Sequence, residues 1–411
     1  MNNFEEYCTK FVQSVGSKDG AVSPSITSSA SFSYSTPEIA EGIFDGSVKK
    51  PLYSRMGNPT SARLESIMAE MDGGVAAVAT SSGMGATTLA VMSIVSMGDE
   101  IISIGGLFGG TYALFSETLT RFGIKTHFFD VDDFKGIEEA INTNTKVIFL
   151  ESVGNPNMKL PDIKKIANIA NKHGVLLIID NTTTPLCISP LALGADISIY
   201  STTKTISGNS SALGGCAVFR GINEGEDKLK SPRYEFLAKF IKGAGKMALF
   251  ANAKKRALRD FGMSANANAS YQTMLGLETL PLRLQRITQS VEIVASELNK
   301  NGLCVNHPSI SSHEHHQRYL SDFQNGCGSL FSLDFKTKTK AFEFLNKTKL
   351  ATLTANIGDN RTLALHMAST IYRDFDEETR EFLGISDGLV RISMGLENPE
   401  DIIEDFTQAS R

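Results

Sequence analysis

The chain has 411 residues, 41% of them hydrophobic, with 40 Lys+Arg against 45 Asp+Glu for a net charge of -5. That is the make-up of an ordinary soluble globular protein with core enough for about two or three domains, and a mildly acidic surface without long basic runs argues against nucleic acid as a partner. No apolar stretch approaches the roughly 20 residues of a membrane span, the first residues lack a signal-peptide pattern, and five scattered cysteines without a CxxC pair point to reduced cytoplasmic thiols rather than disulfides or zinc.

Residues 1–60 are rich in Ser, Thr, Pro and Gly and read as an extended arm with little core of its own. From residue 61 the pattern changes. Helix is predicted over Ser61–Met71, strand over Val75–Thr80, helix over Ala86–Val95, strand over Ile101–Ile104 and helix over Thr111–Phe122. Strands follow at Thr126–Phe129 and Val147–Glu151, then a helix over Pro161–His173 and strands at Val175–Asp180 and Ile197–Tyr200. Near-continuous apolar strands alternating with helices predict an α/β unit with a mainly parallel sheet covered on both faces. After Phe219 the pattern is helical, with a long helix over Leu282–Asn299. Strands at Gly328–Phe335 and Leu389–Met394 mark a smaller C-terminal α+β unit. The expected division is an arm over 1–60, a large domain over 61–280 and a small domain over 281–411.

In a parallel sheet, ligands collect at the carboxyl ends of the strands. Those ends read SSGMGA (81–86), GGLFGGTY (105–112), ESVGNP (151–156), DNTTTP (180–185) and YSTTK (200–204), all small, polar or glycine-rich. Gly83 and Met84 open a helix whose free N–H groups suit a phosphate, although a plain tight turn would use the same residues. Thr88 replaces the third glycine of a GxGxxG, which weakens a dinucleotide reading. Asp180 leaves a buried strand at the crevice, as a helix cap or as the counter-charge to a protonated ring nitrogen. Lys204 follows another strand next to Ser201 and Thr203, whose hydroxyls can bind phosphate. A desolvated lysine there has a lowered pKa and can form a Schiff base. Phosphate cradle, acidic ring partner and strand-end lysine together specify a cofactor that no single element does.

With YSRMGNPTSARLE (53–65), LFGGTY (107–112), STTKTISGNSSALGG (201–215) and VRISMGLE (390–397), these motifs resemble the Cys/Met-metabolism family of pyridoxal phosphate enzymes, of the aspartate-aminotransferase fold (fold type I). The resemblance runs from about residue 20 to the C-terminus and implies pyridoxal 5′-phosphate as cofactor. It implies Lys204 as the cofactor-bearing lysine, Asp180 as pyridinium partner, and Gly83, Met84, Ser201 and Thr203 as phosphate cup. Tyr53 and Arg55 match a pair that reaches the phosphate of a neighbouring subunit, so a homo-oligomer, a tetramer by resemblance, is expected. Arg391 matches the arginine that forks onto the substrate α-carboxylate, and Asn155 an asparagine beside it. Phe108 stands where the family usually has a ring-stacking Tyr. It keeps the stacking face but loses the hydroxyl near the leaving group, which favours an amino-acid ester over a thioether. Asn356 in ANIGD (355–359) resembles the sulfhydrylase subgroup, closest to O-acetylhomoserine sulfhydrylase.

The implied reaction is γ-replacement on O-acetylhomoserine with a sulfur donor, giving homocysteine and acetate. Methionine or cystathionine γ-lyase and cystathionine γ-synthase are the alternatives. The sulfur donor is expected to be free sulfide or a sulfur-carrier protein. For the carrier, Tyr372, Arg373 and Phe375, in a stretch (367–382) that departs from the family pattern, are expected to shape the entrance. A drifted surface loop is the plainer explanation. The cluster SSHEHHQRY (311–319) reads as a solvated loop rather than a metal site, and Cys304 and Cys327 as core thiols.

Overall fold

A strand covered on both faces needs a near-continuous apolar run, and the predicted strands supply one except at Thr126–Phe129, which lies at the sheet edge. The computed structural model describes residues 3–16, 20–222 and 227–411. Its large sheet contains β1 (Ala76–Thr80), β2 (Glu100–Ile104), β3 (Lys125–Phe129), β4 (Thr145–Glu151), β5 (Leu176–Asp180), β6 (Ile197–Tyr200) and β7 (Gly215–Phe219). The order is β1-β7-β6-β5-β4-β2-β3. β7 is antiparallel to both neighbours and the remaining pairs are parallel. Along β5, Leu176 and Ile178 pack with Phe115 and Phe149 on one face. Leu177 and Ile179 pack with Ile148 and Ile166 on the other. The parallel α/β sheet expected from the sequence is present.

A second, mostly antiparallel sheet holds β8 (Val305–Asn306), β9 (Leu330–Asp334), β10 (Thr352–Leu353), β11 (Leu363–His366) and β12 (Leu389–Ser393), in the order β10-β11-β12-β9-β8. Phe331, Val390 and Ile392 pack there against Phe344 and Phe406 from the helices Lys338–Lys347 and Pro399–Ala409, and against Ile287 and Val294 of a long helix. Among the described residues no helix is long and apolar enough to cross a membrane.

Four expectations change. The long helix is Ala267–Lys300, not Leu282–Asn299, and Pro281 lies inside it. Proline normally ends a helix by removing a donor and crowding the preceding turn. Here the Arg283 guanidinium donates to Gly276 O (2.8 Å), Thr205 O (2.8 Å) and Ile206 O (3.0 Å), binding the helix around the proline to the turn after Lys204.

The arm is not extended from its start. Asn3–Val15 is a helix with Phe4, Phe11 and Val15 buried, packed with Leu64, Leu277 and Leu284, and Tyr7 donates to Met71 O at 3.0 Å. Its apolar residues at i, i+7 and i+11 carry a helical period that the overall Ser/Thr/Pro/Gly content hides.

The histidine cluster is not a solvated loop. His316–Asp322 is helical, and buried His315 accepts from Leu160 N (3.0 Å) and bonds Asp132 (3.0 Å). No group of three or more His, Cys, Asp or Glu among the described residues is placed to hold a metal ion. Cys327 is buried, whereas Cys304 is exposed and no core thiol.

Candidate active site

Lys204 sits in the turn that follows β6. Its carbonyl accepts from Gly208 N at 2.9 Å, and the Arg283 contacts hold the next two carbonyls, so the backbone under the lysine is fixed from below. The ammonium donates to Asn356 Oδ1 at 2.6 Å. Burial, with the Arg391 charge adding to it, lowers the pKa to about 8. A lysine so placed exchanges protons near neutrality.

Beside it, β1 leads into the helix Gly83–Met92, whose first turn is capped by Ser82, with Gly85 N donating to Ser82 Oγ at 3.0 Å. Gly83 packs on Ser201 so closely that a Cβ would lie 2.6 Å from the Ser201 Cβ. Only glycine brings this helix start, with its unpaired N–H groups, against the Ser201–Thr203 turn. Thr182 locks the arrangement by accepting from Ser201 N at 2.8 Å. Thr203 donates to Gly214 O at 3.1 Å.

Two carboxylates stand side by side at the strand ends, since Glu151 of β4 is registered with Asp180 of β5. Thr182 N donates to Asp180 at 2.9 Å. Phe108 N donates to Glu151 at 2.7 Å, which fixes the backbone that carries the Phe108 ring. Burial pushes both carboxyls up, and Asp180 pushes Glu151 further. Across the cavity, buried Arg391 of β12 donates to Asn155 Oδ1 at 3.0 Å and to Asn356 O at 3.3 Å. Desolvation lowers its pKa to about 10.

These groups surround a cavity of about 230 Å³ lined by Gly83, Met84, Phe108, Asn155, Asp180, Ser201, Thr203, Lys204 and Arg391. Asn356 joins through its bond to Lys204. Tyr53 and Arg55 do not: Tyr53 is exposed, and Arg55 donates to Arg259 O at 2.5 Å away from the cavity of its own chain. Tyr372 also departs from expectation. It is not an entrance residue but fully buried, its hydroxyl donating to Asn155 O (2.9 Å) and lying 3.2 Å from Leu107 O, so it braces the wall from behind. Glu151, Thr182, Thr111 and Leu213 also line the cavity, each within a motif the sequence marks but without a role assigned from it. Glu151 had a signal, because IFLE ends β4 as LIID ends β5.

The family model for Cys/Met metabolism PLP-dependent enzymes matches residues 8–411. The chain belongs to that family. The chain is 36% identical to an O-acetyl-L-homoserine sulfhydrylase of Leptospira meyeri, over 87% of this chain and 85% of that protein. With a homocysteine/cysteine synthase of Saccharomyces cerevisiae it shares 33% over 93% and 91%. An L-methionine gamma-lyase of Fusobacterium nucleatum is 34% identical over 87% and 85%. A solved structure described as an O-acetylhomoserine (thiol)-lyase of Campylobacter jejuni superposes with a TM-score of 0.92 at 32% identity, covering 98% of this chain and 99% of that one, and carries a pyridoxyl-lysine phosphate.

The cavity fits the family's cofactor on its own geometry. The glycine-dependent cradle at Gly83 suits a phosphate. Asp180 is a half-buried carboxylate on the cavity wall with no salt bridge to a cation among the described residues, which suits a protonated ring nitrogen. Lys204 has the lowered pKa that Schiff-base chemistry needs.

Proposed function

We propose that this member of the family exchanges the acetate of O-acetylhomoserine for a sulfur nucleophile, giving homocysteine and acetate. The sulfhydrylase and homocysteine synthase activities named for its relatives support this reading. The observation that carries it within the site is Phe108. Its backbone is tied to Glu151 and it lines the cavity, yet it offers no hydroxyl to protonate a thiolate leaving group. Acetate leaves without such an acid.

Arg391 presents a planar fork for the substrate α-carboxylate, and its bond to Asn155 sets the plane of that fork. Lys204, with a pKa near 8, takes the α-proton and then moves a second proton at the β-carbon. Asp180 would hold the ring of the bound cofactor and keep it protonated. Pyridoxal phosphate, when bound, supplies the sink for the electrons left behind at the α-carbon. The apolar Phe108 face limits water around the reacting carbons.

The cations lining the cavity are Lys204 and Arg391, and both have other work. The phosphate therefore wants a positive charge from elsewhere, and Arg55 of a second copy suits the need. We infer an oligomer, a tetramer by family, with Tyr53 and Arg55 completing a neighbour's phosphate site. Its five cysteines are unpaired, as befits a protein of the reducing cytoplasm. Free sulfide is the proposed donor; of the three residues expected to meet a carrier tail, Tyr372 is buried, Phe375 is half-buried and Arg373 is exposed.

The deciding experiment is a steady-state comparison of O-acetylhomoserine, O-succinylhomoserine, methionine and cystathionine, each with and without sulfide. Homocysteine and acetate from the first substrate with sulfide are expected. Release of 2-oxobutyrate and ammonia from methionine at a comparable rate would instead mark a lyase. For the shared site, inactive Arg55→Ala and Lys204→Ala variants should regain partial activity when mixed and reassembled, and failure to do so rejects it.

A further inference from the structure

Asn356 is more than a neighbour of Lys204. Its amide continues into a chain of hydrogen bonds that ends on a buried carboxylate. Asn356 Nδ2 donates to Ser210 Oγ at 2.9 Å, and Ser210 Oγ donates to Asp359 Oδ2 at 2.5 Å. Asp359 is buried and receives Arg361 Nε (2.8 Å), Arg361 Nη2 (3.2 Å) and the Arg361 backbone N–H (2.9 Å). The segments that carry the chain are clasped together. Asn360 N donates to Gly208 O at 2.7 Å, and a Cβ on Gly358 would lie 2.4 Å from Thr205 N.

The direction of this chain is fixed by chemistry. An ionised carboxylate can only accept, so the single Ser210 proton goes to Asp359. The Ser210 oxygen must then accept from the Asn356 –NH₂, and the Asn356 carbonyl is left facing Lys204. An amide has nearly the same shape in either orientation, so without the carboxylate it could turn over. A turned amide would donate to the lysine nitrogen and occupy the lone pair a base needs. Burial works to raise the Asp359 pKa, but the bonds from Arg361 and Ser210 outweigh it and hold the group below its ordinary value.

We propose that Asp359 and Ser210 are positioning residues that hold the Asn356 amide with its oxygen toward Lys204, so that the lysine, whenever it is free of the cofactor, is an N–H donor to Asn356 with its lone pair left for the substrate. The proposal rests on the proton-carrying role given to Lys204 above. The other charged groups facing the lysine are Arg391 from β12 and Asp180 and Glu151 from β5 and β4. None of them is altered in the test.

The full-length protein, freed of cofactor, is treated with acetic anhydride across a pH series, and acetylation of Lys204 is followed by peptide mass spectrometry to give its pKa. Accepting from the ammonium favours the charged form, so Asp359→Asn should lower that pKa by about one pH unit. Ser210→Gly is the second variant. Ser210 has φ of +57°, which glycine adopts freely, so the hydroxyl is lost without backbone strain. It should shift the pKa in the same direction. In the cofactor-loaded enzymes the acid limb of the kcat profile, where Lys204 loses its proton, should move to lower pH with it, and kcat should fall roughly tenfold while KM changes little. An unchanged Lys204 pKa in Ser210→Gly, with the fold intact by circular dichroism, overturns the proposal. The labelling uses no substrate, so it stands or falls separately from the choice of O-acetylhomoserine.

Discussion

Asp180 and Asp196 stand at opposite ends of two neighbouring strands of one sheet, and the fold treats them in opposite ways. Asp196 lies just before β6, at the amino end. It is buried and met by Arg220 Nε (2.5 Å), Lys228 Nζ (2.5 Å) and Leu177 N (2.7 Å). Asp180 lies at the carboxyl end of β5, is enclosed by the cavity, and receives Thr182 N without a cation of its own. A buried carboxylate is tolerable when paired within the chain, and is then structural. One left unpaired in a cavity is held for a ligand that brings the missing charge. The lower edge of the sheet is closed by its own charges; the upper edge is left open to a charge from outside the chain.

The largest effect should come from the cavity. Lys204→Ala removes base and cofactor anchor together, and turnover should fall about a thousandfold or more with loss of the cofactor's visible absorbance. Near-wild-type turnover would sink the mechanism. A paired experiment then sharpens the contrast between the two aspartates. Asp196→Ala leaves the buried Lys228 ammonium without its carboxylate and should cost about 3–5 kcal/mol in chemical denaturation, with kcat of the surviving folded fraction little changed. Asp180→Asn should do the reverse. It removes a charge-assisted contact worth about 1.5–3 kcal/mol, hence roughly 10- to 100-fold in turnover, and leaves the cofactor-free protein at least as stable. If both variants lose the same property, the distinction between the edges fails.

A further carboxyl, half-buried, tests the electrostatic reasoning outside the site. Glu65 is pushed up to about 7 by burial, with its oxygen accepting from Ala79 N at 2.9 Å. Its folded pKa lies above the unfolded value, so the stability it contributes is fully present below the ordinary carboxylate range and is lost as pH rises toward about 7. Glu65→Gln should flatten the fall in melting temperature across that window, and an unaltered slope would show that Glu65 does not cause it. The smallest effect expected is a change of preference. Phe108→Tyr should raise the thioether-to-ester activity ratio by about threefold to tenfold, read by product analysis on methionine and O-acetylhomoserine. A constant ratio would free Phe108 of any part in substrate choice.

The contrast between the edges also explains what could be read from the sequence. Strand ends announce themselves, because an apolar run that stops at Asp180 or leads into Ser201–Lys204 is a break in pattern. Every residue of the predicted phosphate cup lies on the cavity for that reason. Asp359 and Ser210 gave no such sign. They act through another residue, and only the folded chain brings loop 355–361 onto loop 205–211. Pro281 misplaced the start of the long helix because Arg283, which holds that turn, works through contacts distant in sequence. Tyr372 looked like a rim residue for want of any periodicity to bury it, yet its hydroxyl found carbonyls far away along the chain. The helix at Asn3–Val15 was hidden by averaging over sixty mixed residues.

That helix changes what kind of object the N-terminal arm is. Packed by Phe4, Phe11 and Val15 on the large unit, it fixes one end of the segment, and the helix Pro59–Asp72 fixes the other. Thr27 and Asn58 draw the ends of the intervening stretch together, Thr27 N donating to Thr60 Oγ1 and Asn58 Nδ2 to Thr27 O, each at 2.8 Å. The arm is thus a closed loop rather than a free tail. A tail searches a large volume and loses much freedom when it settles; a loop held at both ends has already given up most of that freedom within its own subunit. Whatever Tyr53 and Arg55 meet, they arrive as a prearranged pair, their ring and guanidinium 5.8 Å apart. Proteolytic removal of the first helix, far from either side chain, should therefore loosen the pair by freeing one end of the tether rather than by deleting a contact.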